Sequence, residues 1–168
     1  SKSVRTSLLD IGCGRGGDIL KMYHARVGNY VGIDPDYEGI YSATDGAISR
    51  YRPLKKKFPG FGKVAYIQAD GSVLLNSKEQ SKVFPSMSKE NKDLLDKHFS
   101  KKGQYDIINS SFAIHYLFGN KLMIKNLIEN IKYNLKVGGF VIFEIFDAEA
   151  VIKLFGDKIH EDDDEKGY

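Results

Sequence analysis

Residues 8–18 read Leu-Leu-Asp-Ile-Gly-Cys-Gly-Arg-Gly-Gly-Asp. An apolar run carries a carboxylate, Asp10, and then gives way to Gly12, Gly14, Gly16 and Gly17. The run has the composition of a buried strand. The pattern Gly12-x-Gly14-x-x-Gly17 is the turn by which a strand hands over to a helix, with no Cβ between the backbone and a ligand. Alone it fits dinucleotides, other adenosyl ligands or a plain tight turn.

Working outward, strands and helices alternate. Val4–Gly12 reads as the first strand, and Gly16–Val27 as a three-turn helix stopped by Gly28. Asn29–Pro35 is a second strand. Residues 36 to about 51 form a second helix, interrupted by Gly39 and Gly46. Lys63–Asp70 is a third strand, Tyr105–Ser111 a fourth, and Lys121–Leu135 an amphipathic helix. Lys136-Val-Gly-Gly139 turns the chain into a fifth strand, Gly139–Phe146, and Ala148–Phe155 begins a further helix. Leu75–Gly103, rich in Lys, Ser and Asn, reads as an insertion with one short helix near Lys89–His98; it could pack over the sheet edge, but a solvated excursion is the expectation. The alternation predicts an α/β fold with a mostly parallel, doubly wound sheet. In such sheets ligands sit outside the carboxyl ends of the strands.

The 168 residues, 42% of them hydrophobic, suit one domain with a single core of about residues 4–155. No apolar run approaches the roughly 20 residues of a membrane span, and the first residues, SKSVRTS, have no signal-peptide core. One cysteine, Cys13, leaves no intrachain disulfide, so an intracellular, reducing location is the expectation. Net charge is +3, but residues 160–168 hold five acids and one lysine. Without them 24 basic residues stand against 17 acidic ones. A body of that sign suits an anionic partner, or serves solubility alone.

The informative side chains follow the strands. Asp34 lies 20 residues beyond Gly14, the reach of a carboxylate that accepts from ribose hydroxyls. It could also cap the next helix, a role Asp36 can take instead. Asp70, before Gly71 and Ser72, could accept from an adenine amino group or close an Asx turn. Asp10 and Asp18 flank the glycine turn and are poor company for a pyrophosphate. S-adenosylmethionine suits the turn better than a dinucleotide: backbone N–H groups receive its carboxylate and Asp10 helps hold its positive end. After the fourth strand, Phe112 and Tyr116, four residues apart, could staple a helical turn to the core. His115 would then be an ordinary surface histidine.

Together GCGRGGD, GIDPD and SSFAIHY resemble the mRNA cap (guanine-N7) methyltransferases, especially the poxvirus-like capping enzymes of large cytoplasmic DNA viruses. The resemblance spans about Leu8–Phe155 and implies a class I, Rossmann-like methyltransferase. The activity implied is transfer of a methyl group from S-adenosylmethionine to guanine N7 of GpppN-RNA, without a metal. It implies cofactor contacts from Asp10, Gly12, Gly14, Asp34, Asp70, Gly71, Ser111, Phe112 and Tyr116. Cap contacts fall to Arg15, Lys21, Arg50 and His115. His115 and Tyr116 would shape the site, and no residue serves as acid or base. Ser111 stands where many members have a glutamine. The resemblance also implies segments before the first strand and after Phe155 that the sequence lacks, hence a fragment of a larger protein without its distal part. Partners implied are capped RNA, RNA triphosphatase and guanylyltransferase domains in the same polypeptide, or an activating subunit, in a host cytoplasm or virion. Two rival functions share these residues: methylation of another substrate, and a non-catalytic subunit of a capping complex.

Overall fold

Side-chain alternation along β1 (Ser7–Ile11) sets up two layers. Leu8 packs with Ile19 of α1 (Ile19–His24), Ile40 of α2 (Tyr37–Tyr41) and Ala47 of α3 (Ala47–Lys57). Leu9 and Ile11 face the other way, toward Leu95 and Phe99 of α5 (Lys89–Phe99) and Leu127 of α6 (Lys121–Asn134). The next strands divide alike. In β2 (Asn29–Asp34) Tyr30 joins the first layer, and Val31 and Ile33 the second. In β3 (Lys63–Gln68) Tyr66 joins the first and Ile67 the second. Leu9, Val31, Ile33, Ile67 and Ile108 are fully buried. Each stabilises the fold by about 1.5–3 kcal/mol, and an Ile33→Ala change costs about 2–5 kcal/mol.

The computed structural model describes residues 5–147, 149, 150 and 153. With β4 (Tyr105–Ser111) and β5 (Leu135–Glu144), the strands form one parallel sheet in the order β3-β2-β1-β4-β5. The chain winds outward from β1 to β3, then returns to place β4 on the other side of β1. The switch point between β1 and β4 opens a crevice at their carboxyl ends.

Several sequence expectations change. The strand expected from Val4 begins at Ser7, and α1 has six residues. Its exit is made by Arg26, at φ 57°, and not by Gly28. The helix expected over residues 36–51 is two helices. Asp36 caps α2 by accepting from the Glu38 N–H, 3.0 Å, and Gly46 opens α3. A Cβ on Gly46 would lie 2.6 Å from the Ser42 backbone nitrogen, so the break needs glycine.

The segment 75–103 is not a solvated excursion. It forms α4 (Ser77–Val83) and α5, and buries Leu75, Met87, Leu95 and Phe99 in the core. Asn91 accepts from the Gln68 N–H at 2.9 Å and donates to the Gln68 carbonyl at 2.9 Å, standing in for a neighbouring strand at the β3 edge. The expected turn 136–139 lies inside β5, which begins pairing at Leu135. Gly138, at φ 79°, absorbs a register shift opposite Tyr105–Ile107. β5 is the second sheet edge, with Phe140, Ile142 and Phe143 exposed. The acidic segment 160–168 and most of the helix expected over Ala148–Phe155 lie outside the described residues.

Candidate active site

The glycine turn is tied inward. The N–H groups of Gly12 and Cys13 both donate to the Ile33 carbonyl, at 2.8 and 3.0 Å. Gly14 N–H donates to Asp34 Oδ2 at 2.8 Å. The first two turn amides are thus spent on the Ile33 carbonyl, and the third on the Asp34 carboxylate at the end of β2. Gly12, Gly14 and Gly16 all have positive φ. A Cβ on Gly12 would lie 2.3 Å from Ala113 Cβ, so only glycine lets the first and fourth strand ends approach this closely.

The crevice holds a pocket of about 350 Å³, within the range of small-ligand sites. Of the sequence-identified residues, Gly12, Asp34, Gly71, Ser111, Phe112 and Tyr116 line it. Ile11, Pro35, Ala69, Ala113 and Leu117 complete the wall, and sequence reasoning missed them. Their signal was position, each directly following a strand or beside a residue that was recognised.

Asp10 does not reach the lining. It is buried beneath the turn and accepts from Tyr30 Oη at 2.7 Å and Asn109 Nδ2 at 2.9 Å. Burial raises its pKa above the usual carboxylate value, against the two hydrogen bonds that lower it. The same burial, with Asp10 and Asp34 nearby, pushes the Cys13 thiol well up, so it stays protonated. Gly14 and Asp70 are also not among the lining residues. Asp70 Oδ1 closes an Asx turn by accepting from the Ser72 N–H and Oγ, at 2.8 and 2.7 Å. Gln80, buried, accepts from the Asp70 N–H and donates to its carbonyl, both at 2.9 Å, which holds the strand end in place. Asp34 lines the pocket with each oxygen accepting one backbone N–H, the second from Asp36 at 2.9 Å. A carboxylate has about four acceptor positions, so capacity remains for hydroxyl donors.

Beyond β4 the chain forms a 3-10 turn, Ile114–Phe118. Ile114 and Leu117 anchor it in the core. Phe112 and Tyr116 are exposed, so the stapling role expected for them falls to that pair. Phe112 sits at φ 56°, a conformation costing a bulky residue about 1–3 kcal/mol, held by its N–H donating to the Glu144 carbonyl at 2.8 Å. The His115 and Tyr116 ring centroids are 4.0 Å apart, and both rings face solvent beside the pocket.

The three sequence-identified cations lie outside the pocket lining. Arg15 pairs with Asp45, and Lys21 with Asp18 at 2.7 Å. Arg50 Nη1 donates to the Arg15 carbonyl at 3.3 Å, which brings two guanidinium groups to one side of the glycine turn. These pairs are exposed and exchangeable, worth little individually. The arrangement can hold an adenosyl ligand in the pocket and present an exposed aromatic pair and cations to an anionic second ligand.

Residues 1–167 match the mRNA (guanine-N(7))-methyltransferase domain. The chain is 39% identical over 146 residues to the "Probable mRNA-capping enzyme" of Acanthamoeba polyphaga mimivirus, covering 87% of this chain and 12% of that one. It is 33% identical over 150 residues to an mRNA cap guanine-N(7) methyltransferase of Cryptococcus neoformans, covering 89% of this chain and 18% of that one. It therefore spans less than a fifth of the length of either relative. In fold it is similar to an S-adenosylmethionine-dependent methyltransferase from Mesorhizobium loti, with TM-score 0.51 and 17% identity, over 84% of this chain and 48% of that one.

Proposed function

Because this chain belongs to the mRNA (guanine-N(7))-methyltransferase family, we propose that it transfers the methyl group of S-adenosylmethionine to N7 of the guanine in GpppN-RNA. One observation carries the reading: a ligand-sized pocket at the switch point is lined by Gly12, Asp34 and Tyr116, with the exposed His115 ring tilted against Tyr116. The residues fit S-adenosylmethionine: the pocket wall is mostly apolar and its one carboxylate, Asp34, keeps acceptor positions for ribose hydroxyls. Bound there, it supplies an electrophilic methyl on a sulfonium.

Asp34 would take the ribose hydroxyls on its free acceptor positions. Ala69 and Gly71, held by Gln80, would receive the adenine beside Asp70. Phe112 and Tyr116 would wall the methyl path and exclude water. His115 would place the guanine, and Arg15, Lys21 and Arg50 would hold the triphosphate bridge. Guanine N7 offers a lone pair and carries no proton, so no residue need act as a base. Rate enhancement comes from alignment and from an environment suited to moving positive charge off sulfur. Asp10 acts at one remove, by fixing Tyr30 and Asn109 beneath the turn.

The mimivirus relative's name supports a setting in which RNA triphosphatase and guanylyltransferase activities accompany this domain, in one polypeptide or through a subunit. Among the described residues no helix is long and apolar enough to cross a membrane. The test is methyl transfer from labelled S-adenosylmethionine to GpppG, with uncapped RNA and free guanosine as controls. Transfer to GpppG alone supports the reading. Equal transfer to guanosine would favour a methyltransferase of another substrate. Cofactor binding without transfer to any of them would also favour another substrate, and absence of cofactor binding would favour a non-catalytic subunit.

A further inference from the structure

Along the outer edge of β3, at the end of the sheet opposite the cofactor pocket, runs a groove of about 1010 Å³. α3 stands on one side of it and α5 on the other. Arg5, Lys55, Lys63 and Lys97 line it and, among the described residues, no carboxylate does. The ion pairs of the described residues engage Arg15, Lys21, Lys82, Lys132 and Lys136, and none of these four. His98 adds a polar ring, its pKa lowered by burial and by Lys97. An adjoining cavity of about 720 Å³ shares Arg5 and adds His24 and Arg26.

α3 connects this groove to the active site. Its eleven residues carry Arg50, Arg52, Lys55, Lys56 and Lys57 and no carboxylate. At one end Ala47 packs under Gly16 and Arg50 meets Arg15. About 12 Å along the helix from Ala47, Lys55 enters the groove. Clustered like charges repel and weaken the fold unless a polyanion neutralises them. The half-buried rings of Tyr51 and Phe61, edge to face with centroids 5.5 Å apart, add apolar surface to the wall. Four cations with no carboxylate among them suit a phosphate backbone.

We propose that the basic track along α3 and the groove at the β3 edge bind the single-stranded RNA that follows the capped end. The proposal rests on the cap methyltransferase reading for the source of that RNA. Its test is fluorescence anisotropy of uncapped RNA of about 20 nucleotides on the full chain. The variant Lys55→Ala/Lys63→Ala/Lys97→Ala removes three exposed groove lysines. Lys78→Ala/Lys89→Ala/Lys125→Ala removes the same charge from α4, α5 and α6, away from the groove.

The groove variant is expected to lose about tenfold in affinity. Its dependence on salt, log K against log concentration, should flatten by about 2, near 0.7 per lost phosphate contact. The control variant should stay within about twofold, and both should keep wild-type S-adenosylhomocysteine affinity. Equal losses in the two variants would overturn the proposal in favour of bulk charge. Unchanged affinity in the groove variant would overturn it outright. Polyglutamate that binds as tightly and competes with RNA would assign the groove to an acidic protein segment instead. RNA bound through the groove without GpppG methylation would refute the catalytic reading and leave the groove standing. GpppG methylation with groove-independent RNA binding would do the reverse.

Discussion

The Gly12→Ala substitution probes the joint between the first and fourth strand ends. Two costs follow from the geometry. The new Cβ would lie 2.3 Å from Ala113 Cβ, whereas unstrained carbon atoms sit about 3.5–4.0 Å apart, so one segment must retreat by more than 1 Å. Overpacking of that kind costs about 1–3 kcal/mol. Gly12 also sits at φ 80°, where an L residue costs about 1–2 kcal/mol more. Gly12 and Ala113 both line the pocket, so any retreat deforms it. A combined cost near 3 kcal/mol is about 100-fold in affinity if binding must restore the native turn. Calorimetric titration with S-adenosylhomocysteine measures this directly. The double variant Gly12→Ala/Ala113→Gly removes the overlap and leaves the φ cost, so it should regain about tenfold. Binding within twofold of wild type in a folded Gly12→Ala chain would refute the reasoning. A double variant no better than the single would refute the role given to Ala113.

Asp34→Ala removes the partner of the Gly14 N–H and the pocket's carboxylate while leaving the Asp36 cap of α2 intact. It should weaken S-adenosylhomocysteine binding at least tenfold, by the worth of a hydrogen bond to a charged group, about 1.5–3 kcal/mol. Asn91→Leu strands the Gln68 N–H and carbonyl and the Tyr41 hydroxyl, so urea unfolding should show a loss of about 3 kcal/mol. Asp106 is pushed up by burial, but hydrogen bonds from Lys136 and Ser7 outweigh that and hold its pKa at about 2. Its folded pKa lies below the unfolded value. The stability it adds is therefore full above about pH 4 and lost as the pH falls toward 2. The side chain is about a third exposed, so the contribution is about 1 kcal/mol after screening. The gap in urea midpoint between wild type and Asp106→Asn should shrink from pH 7 to pH 3.

Much was legible because it is written locally. Leu8, Leu9 and Ile11 alternate with the period of a pleat, and the glycine turn follows at once, so the strand-to-helix handover and its ligand-facing end could be read from eleven residues. Asp34 and Asp36 were separable as site and cap because an N-cap must immediately precede its helix, and Asp36 does. The combination of GCGRGGD with SSFAIHY points to the family from the sequence alone.

Other features depend on pairs of residues far apart in the chain. Asp10 looked like a ligand contact, yet Tyr30 and Asn109, 20 and 99 residues away, enclose it. The segment 75–103 looked solvated because its polar residues outnumber its apolar ones. Gln80 and Asn91 are polar and buried together, since they satisfy backbone groups at the end and edge of β3. Composition reports hydration preference averaged along a segment. It cannot say which amide has a distant carbonyl to meet. The sequence by itself determined the strand-helix alternation, the glycine turn and the family, since each is written in short contiguous stretches. Only the tertiary structure decided which carboxylates face the pocket, which amides replace a missing strand, and that lysines from α3, β3 and α5 share one groove. Those are outcomes of which surfaces the sheet order brings together.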